Sequence, residues 1–353
     1  HGIAENPKLA AALFKALVPS GYSKFAIETS PQMASSLEQA ARQDGMNGMV
    51  KLFENQSSNV AFFGMYEEAE MLVEIVKSMP EASNSIWGLD YEVLADRYLI
   101  SQLQAKQMNL QAQSLFNDLK QASNDSWQKH KETGNPQYIF SFSAHPSIIS
   151  TLREAWPEAD SEALAIMNTL EQTFKVNQLW VAGKGWESNL ERSNLLKNNL
   201  INYWSKTTQN KAKPKVFFKF GASHLIRGRN MSEVYDIGNL LPELANLNSS
   251  KSFNLMVLQG NNSQTAVLDP TQLRYKESDA KDGYHKGLQV LTSLAAKDSF
   301  SEIDLRPLRS VLSRQKNTES VELMRVIHGY DALLILSGST ASKNLLPEMN
   351  VSN

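Results

Sequence analysis

Short apolar runs that alternate with long helical stretches most constrain how this chain can fold. The clearest runs lie at residues 24–27, 215–220, 253–258 and 330–336, and most of them lead directly into glycine, serine or a charged residue. Strands that alternate with helices indicate a largely parallel sheet. We therefore predict an α/β fold with a mixed, mostly parallel central sheet flanked by helices.

The middle of the chain has a different pattern from its two ends. From residue 93 to residue 205 the apolar spacing predicts long helices with polar outer faces, interrupted by a Thr-Gly-Asn-Pro loop at 133–136. We therefore predict a helical insertion or subdomain over 93–205 and an α/β core domain formed by residues 1–92 and 206–353. Residues 261–318 are polar and predict surface loops and short helices.

Composition excludes several classes of function. The 353 residues carry a formal net charge of -2, so no overall field attracts nucleic acid or an anionic membrane. The sequence contains no run of about 18 apolar residues, so it predicts no membrane-spanning helix. The chain has no cysteine, which excludes disulfides, thiolate metal sites and a cysteine nucleophile. We expect a small-molecule substrate as the partner of this chain, and the oligomeric state stays open.

The chain starts unusually, with His1-Gly2 and no methionine. Helical sequence follows almost at once, with no apolar core of the kind that signal peptides have. We expect that the sequence is a processed or trimmed product and that residues precede His1 in the full protein. The compartment therefore stays open: cytoplasmic, or periplasmic or secreted if a signal peptide was removed.

Two candidate site residues follow predicted strands. His224 comes three residues after Gly221, which ends the run at 215–220, and Glu28 directly follows the run at 24–27. Open α/β sheets bind their ligands outside the carboxyl ends of the strands, so both residues are placed for chemistry. The alternative is that each makes only local hydrogen bonds, and for His224 the two interpretations are balanced.

Three more residues are candidate substrate-binding groups. Asp90 and Glu92 end a third strand-like run, and they share one face only if the chain stays extended there. Arg227 lies three residues beyond His224. Solvation of a surface loop is the alternative for all three. The argument for them is that three predicted strands all end in histidine, glutamate or aspartate.

Arg192 lies at the opening of the predicted helix that leads towards the run at 215–220. Ser188 and Glu191 have the spacing of a capping box at the start of this helix. Arg192 then has two interpretations: a surface ion pair with Glu187 or Glu191, or a cation for the site. The other histidines are expected to be structural or exposed; they are His130, His145, His285 and His328.

Several catalytic signatures are missing. The sequence has no G-x-S-x-G nucleophile elbow, no phosphate-binding loop, no H-E-x-x-H and no G-x-G-x-x-G. Hydrolysis by this chain is therefore expected to use an activated water and no covalent nucleophile.

Together these segments resemble the erythromycin esterase-like family, which belongs to a wider group with the haem-uptake ChaN-type and Tiki-type proteins. The family's first motif is a strand that ends Gly-Glu-x-His-Gly, and only its closing His1-Gly2 is present here. Glu28 matches a later family glutamate, Gly221 to His224 match a Gly-x-x-His strand end, and residues 330–337 resemble the last strand. We expect the missing strand and glutamate upstream of His1.

The resemblance implies hydrolysis of an ester of the lactone type by an activated water, with no cofactor. It implies that His1 is the general base that takes a proton from water. Glu28 would orient His1 or the water, and His224 and Arg192 would stabilise the developing oxyanion.

Two alternatives stay open. The first is a metal-dependent hydrolase or protease of the Tiki-like type, with a divalent metal on His1, Glu28 and His224 and an open position for water. The second is a ChaN-like protein that binds haem or another apolar ligand between the sheet and the helical subdomain, through His1 or Tyr91.

Overall fold

A computed structural model describes all of the chain except residues 55–58, 81–83, 209–212, 280–286, 298, 313–319 and 347–353. Its first sheet is parallel and has the strand order β2–β1–β3, with bounds β1 Tyr22–Ile27, β2 Ile86–Gly88 and β3 Lys215–Lys219. In this register Phe25 lies opposite both Ile86 and Phe217. Every strand of this sheet therefore ends at the same edge.

Three helices build the core around this sheet: α1 (Glu5–Leu17), α2 (Pro31–Glu54) and α3 (Tyr66–Ser78). Phe25 and Phe217 stack across the β1–β3 pair with ring centroids 5.2 Å apart, and Phe14 of α1 packs edge-on against both. Inside α2 the backbone leaves helical geometry at Asp44 and Gly45, where Gly45 has φ 57°.

Between β2 and β3 the chain is helical: α4 (Asp96–Gln104), α5 (Leu110–Thr133), α6 (Phe140–Ser143), α7 (Ser147–Ala155), α8 (Ser161–Val181) and α9 (Gly185–Thr208). The side chains of Asn109 and Asp160 cap α5 and α8. Leu196 and Leu200 of α9 pack against Trp87 of β2, which returns this helix to the sheet. The division into two domains remains a prediction.

After β3 the chain adds α10 (Ala222–Leu225), α11 (Ile237–Leu247), α12 (Gln289–Thr292), α13 (Arg306–Leu312) and α14 (Val321–Gly329). These helices accompany a second sheet with the order β4–β8–β7, whose strands are β4 Leu255–Gln259, β7 Phe300–Asp304 and β8 Ala332–Leu336. β4 and β8 are parallel, and β7 is antiparallel to β8. The predicted α/β class is confirmed, with the strands divided between two small sheets.

An antiparallel hairpin corrects the expectation of loops and short helices over residues 261–318. Its strands are β5 (Gln264–Asp269) and β6 (Arg274–Asp279), and β7 lies in the same stretch. Most of their side chains are exposed or half-buried, so the apolar alternation that reveals a strand is weak. The Ala266 amide donates to the Gly2 carbonyl at 2.8 Å, which holds the hairpin against the start of the chain.

Among the described residues, no helix combines the length and the hydropathy that a membrane crossing requires. The predicted capping box is also corrected. Ser188 lies inside α9, which begins at Gly185, and its hydroxyl donates to the Val176 carbonyl of α8 at 2.9 Å. Because the helix begins three residues before Ser188, this residue lies in the first turn and cannot be the cap.

Candidate functional site

The candidate site lies where the three parallel strands of the first sheet end. Glu28 directly follows β1, Asp90 follows β2 by two residues, and Gly221 follows β3 by two residues. Since parallel strands present their carboxyl ends at one edge, these three segments meet. His224 enters the same place from the short helix α10, and Arg192 from α9. The structure thus brings together five of the residues that the sequence singled out.

Glu28 is the centre of this cluster. Its Oε2 accepts a hydrogen bond from the Gly221 amide at 2.7 Å and lies 3.1 Å from His1 Nε2. Its Oε1 accepts a hydrogen bond from Arg192 Nη2 at 2.9 Å and lies 3.4 Å from His224 Nε2. Burial by itself would raise the pKa of Glu28, but the charges and hydrogen bonds of His224 and His1 hold it well below the usual range. Glu28 is therefore a carboxylate.

His1 is held at both ring nitrogens and on one ring face. Its Nδ1 lies 3.2 Å from Glu68 Oε1 and 3.3 Å from Lys219 Nζ, while Phe62 stacks on the ring with centroids 3.7 Å apart. Burial and the charge of Lys219 lower the pKa of His1, and the hydrogen bonds to Glu28 and Glu68 raise it more, so the net pKa lies above its ordinary value. Lys219 also pairs directly with Glu68.

His224 is held by two carboxylates. Its Nδ1 lies 2.8 Å from Asp236 Oδ2, and Asp236 caps α11 by accepting the Ile237 amide at 2.7 Å. Burial opposes the charge, but the charge of Glu28 and the hydrogen bond to Asp236 raise the pKa of His224 to about 10. An imidazolium donates from both nitrogens, so at neutral pH His224 presents a cationic donor to the site.

Arg192 pairs inside the site and makes no ion pair with Glu187 or Glu191. Its Nε donates to Asp90 Oδ1 at 3.0 Å, and a second hydrogen bond joins its Nη2 to Asp90. The Tyr91 ring covers the guanidinium at 4.8 Å, while Glu191 pairs instead with Lys175. Nearby Asp90 raises the pKa of Arg192 well above its ordinary value, against the effect of burial.

The structure gives Glu92 other partners. Its Oε2 accepts hydrogen bonds from the hydroxyls of Thr29 and Ser30 at 3.0 and 3.2 Å, and these two residues directly follow Glu28. Burial raises the pKa of Glu92 to about 7, although these hydroxyls lower it in part. Its contacts therefore support the loop after β1.

Arg227 is likewise directed away from the cluster. Its guanidinium donates to both carboxylate oxygens of Asp331, at 2.8 and 2.6 Å, and to the Ser252 carbonyl. These contacts join the end of α10 to the start of β8. A role for Glu92 or Arg227 in substrate binding remains a prediction.

Four residues of the site were not identified from the sequence: Phe62, Glu68, Lys219 and Asp236. Glu68 lies in the first turn of α3, where the helix dipole favours an acidic residue in any case, but its side chain is fully buried. The sequence held one signal for the pair of Glu68 and Lys219. Lys219 ends an apolar strand, and a buried lysine needs a partner. Phe62 lies in a turn and Asp236 directly precedes α11, and only the folded chain determines that both reach the site.

The remaining histidines agree with expectation where the structure describes them. His130 is buried and hydrogen-bonded to the Pro270 carbonyl at 2.8 Å, which is a structural role. His145 and His328 are exposed. His285 lies outside the described residues.

A divalent metal does not fit this donor set. Ligand atoms of Glu28, Asp90 and His224 lie within 4.8 Å of one another, and His1 is not part of this group. Arg192 donates to both of these carboxylates, so a guanidinium already neutralises the oxygens that a dication would need.

Haem iron does not fit His1 in the arrangement that the structure shows. An axial histidine must offer an unoccupied ring nitrogen to the iron. Both nitrogens of His1 lie within hydrogen-bond distance of carboxylates, from Glu28 and from Glu68. The ring of Tyr91 is packed on Arg192.

Solved structures share this fold over almost the whole chain. An erythromycin esterase, EreC, studied as a histidine-to-asparagine mutant in its open conformation, matches with a TM-score of 0.58 and 13% identity, over 99% of this chain and 90% of that chain. A Bacillus cereus protein matches with a TM-score of 0.56 and 13% identity, over 98% of this chain and 88% of that chain. A succinoglycan biosynthesis protein matches with a TM-score of 0.56 and 13% identity, over 97% and 86%.

No protein-family model and no curated protein matches the sequence. The structural comparisons show that this chain has the erythromycin esterase-like fold, as the sequence motifs predicted. At 13% identity they establish the fold alone, so the chemistry must be argued from the residues of the site.

Proposed function

We propose that this chain, with its erythromycin esterase-like fold, is a metal-independent hydrolase that opens esters of the lactone type with an activated water. The observation that carries the proposal is the position of Glu28, whose carboxylate joins His1 on one side to His224 and Arg192 on the other. A base and a pair of cations thus face each other across one buried anion.

His1 is the general base of the proposed reaction. Its Nε2 faces Glu28 and its Nδ1 faces the buried Glu68, so Nε2 is the nitrogen directed to the cluster. When a water takes the place of the contact between Nε2 and Glu28, it gives its proton to Nε2 of the neutral ring, and its oxygen forms a bond to the ester carbonyl carbon. Glu28 stays ionised and orients both the ring and the water.

Arg192 and His224 stabilise the negative charge that develops on the carbonyl oxygen. Both are cationic at neutral pH, and both are fixed by second carboxylates, Asp90 and Asp236, before any substrate arrives. In many enzymes, preorganised hydrogen-bond donors of this kind make the largest single contribution to the rate enhancement. When the intermediate collapses, the alkoxide leaves and takes the proton from the His1 imidazolium.

The test compares histidine variants on a nitrophenyl butyrate ester and on erythromycin, whose lactone opening is followed by mass spectrometry. His1→Gln and His224→Gln are each expected to lower kcat/KM by about 100-fold or more, because each removes a group that acts in the transition state. His145→Gln is the matched control, since His145 is exposed and contacts Ser147. Its activity is expected to equal that of the parent chain.

Metal chelation separates this proposal from the metalloenzyme alternative. We expect that EDTA leaves ester hydrolysis unchanged and that the purified protein holds no stoichiometric zinc or manganese. Activity that disappears with EDTA and returns with a divalent metal would overturn the metal-independent mechanism. Full activity of His1→Gln or His224→Gln would overturn the assignment of roles.

A further inference from the structure

The ring of His1 is controlled in three directions, and only two of them involve hydrogen bonds. Glu28 at Nε2 and Glu68 at Nδ1 lie on opposite sides of the imidazole. These two contacts lie near the plane of the ring and do not hold it against displacement perpendicular to that plane. Phe62 lies flat against the ring, with an angle of 9° between the planes, and this contact opposes that displacement on one side.

Phe62 reaches this position with a strained backbone. Its φ is 67°, in the left-handed region that a bulky aromatic residue rarely adopts. Of the described non-glycine residues with positive φ, Phe62 is the one whose side chain contacts the candidate site; the others are Asn84, Glu233, Ser249, Asn262 and Leu273. Strain of this kind persists only where the surrounding structure enforces it, and it concentrates at functional sites.

The β5–β6 hairpin supplies the enforcing contact. The Phe62 amide donates a hydrogen bond to Tyr275 Oη of β6 at 2.5 Å. Tyr275 is itself fixed by Asn344, whose side chain accepts from the Tyr275 amide at 3.0 Å and donates to the Tyr275 carbonyl at 2.8 Å. The Phe62 carbonyl accepts from the Met65 amide at 3.1 Å, which closes the turn.

We propose that Phe62 is a positioning residue for His1 and that the Tyr275 hydroxyl holds the Phe62 backbone in the conformation that presents its ring to the imidazole. The effect on catalysis rests on the proposed hydrolase function, whereas the effect on the His1 ring does not. In this arrangement the Phe62 ring covers one face of the imidazole and keeps water from it.

A purely structural role for Phe62 makes a different prediction. Phe62 also packs against the main core, so its loss could lower stability without disturbing His1. Two readouts separate the roles: the split between kcat and KM, and the proton chemical shifts of the His1 ring. A proton above the face of a stacked aromatic ring is shifted upfield, and removal of that ring releases the shift.

The experiment uses Phe62→Gly, Phe62→Tyr, Tyr275→Phe and the control Asn262→Gly in the full chain. Phe62→Gly relieves the backbone strain and removes the ring, Phe62→Tyr keeps the ring, and Tyr275→Phe removes only the hydroxyl. Asn262→Gly relieves the backbone strain of a residue with positive φ on the exposed turn before β5, outside the candidate site. Activity is measured on nitrophenyl butyrate, ring shifts by NMR, and stability by thermal unfolding.

Phe62→Gly is expected to lower kcat by about 10- to 100-fold, as a small misplacement of a catalytic group does. KM should stay within about twofold, since no substrate contact is lost. The His1 ring protons should move downfield. Tyr275→Phe should change both readouts in the same direction by a smaller amount, and Phe62→Tyr and Asn262→Gly should change neither.

The proposal is overturned if the His1 ring shifts are the same in Phe62→Gly as in the parent chain. It is also overturned if kcat falls equally in Phe62→Gly and Phe62→Tyr. If the parent chain hydrolyses no ester, the proposed function fails, and the ring shifts alone decide whether Phe62 positions His1. If Phe62→Gly does not fold, kcat and the His1 ring shifts are compared between Tyr275→Phe, which keeps the Phe62 ring, and the parent chain.

Discussion

At the scale of single residues, the two histidines of the site share Glu28 but differ in their second partners. His1 has Glu68 with Lys219 beside it, so a cation opposes the rise of its pKa. His224 has Asp236, and its pKa rises to about 10. Neighbouring titratable groups with different pKa values can divide the roles of base and acid between them. The charge of Lys219 opposes protonation of His1, and on this ground we assign the role of base to His1.

This difference predicts a bell-shaped dependence of kcat/KM on pH. Activity should rise as His1 loses its proton, at a pKa above the ordinary 6.5, and should fall near pH 10 as His224 loses its charge. The measurement is the hydrolysis rate of nitrophenyl butyrate from pH 5 to pH 10.5, corrected for the uncatalysed reaction. In His224→Gln the alkaline fall should disappear; if it persists, His224 is not the group that titrates there.

At the scale of elements, the approach of β2 to the start of α2 sets the geometry of the sheet edge. A Cβ atom at Gly88 would lie 2.2 Å from the Ser30 carbonyl oxygen and 2.7 Å from the Ala34 Cβ. Backbone atoms cannot give way as a flexible side chain can. Only glycine at the end of β2 lets the loops that carry Glu28 and Asp90 approach each other.

Gly88→Ala is therefore expected to destabilise the fold by about 1–3 kcal/mol, the usual range for overpacking, and to lower activity as well. Thermal and urea unfolding measure the first effect, and kcat/KM the second. Gly185→Ala is the control, because a Cβ there would meet only the Trp180 ring at 3.6 Å. Equal melting temperatures for the two variants would contradict this account of the sheet edge.

At the scale of the whole molecule, the ion pair between Glu68 and Lys219 joins distant parts of the chain. Glu68 lies on α3 and Lys219 ends β3, and both contact His1 at the start of the sequence. Burial opposes the ionised form of Glu68, but the charge of Lys219 and the hydrogen bond to His1 lower its pKa to about 2. Removal of one member of a buried pair typically costs about 3–5 kcal/mol.

Glu68→Gln should therefore lower the free energy of unfolding most strongly above pH 4.5. A carboxylate whose pKa is depressed in the folded state contributes its full stability above the unfolded value of 4.5, and this contribution is lost as pH falls towards 2. Urea unfolding at pH 7 and at pH 3 measures the difference from the parent chain. Glu74→Gln on the same helix, where Glu74 forms an exposed pair with Lys15, should show little effect at either pH.

Most strands, and Glu28, Asp90 and His224 after them, could be predicted from the sequence because each follows a local rule, whereas the resemblance to the family supplied the role of His1. A short apolar run predicts a strand, and a polar residue after it predicts a site at the sheet edge. The hairpin of β5 and β6 could not be found in this way. Most of its side chains are half-buried or exposed, so its sequence shows little apolar alternation. Its Tyr275 nevertheless contacts the turn that carries Phe62.

Local pattern in the sequence determined the α/β class, the helical stretch between β2 and β3, and the residues at the strand ends. Only the tertiary structure decided which charges meet. Arg192 had two interpretations along the chain, and the return of α9 to the sheet placed it on Asp90 and Glu28. Glu92 and Arg227 had the same local signals as the residues of the cluster, and packing gave them other partners. The physical reason is that periodicity reflects the burial of one residue among its neighbours, whereas a charge pair depends on where two distant segments come to lie.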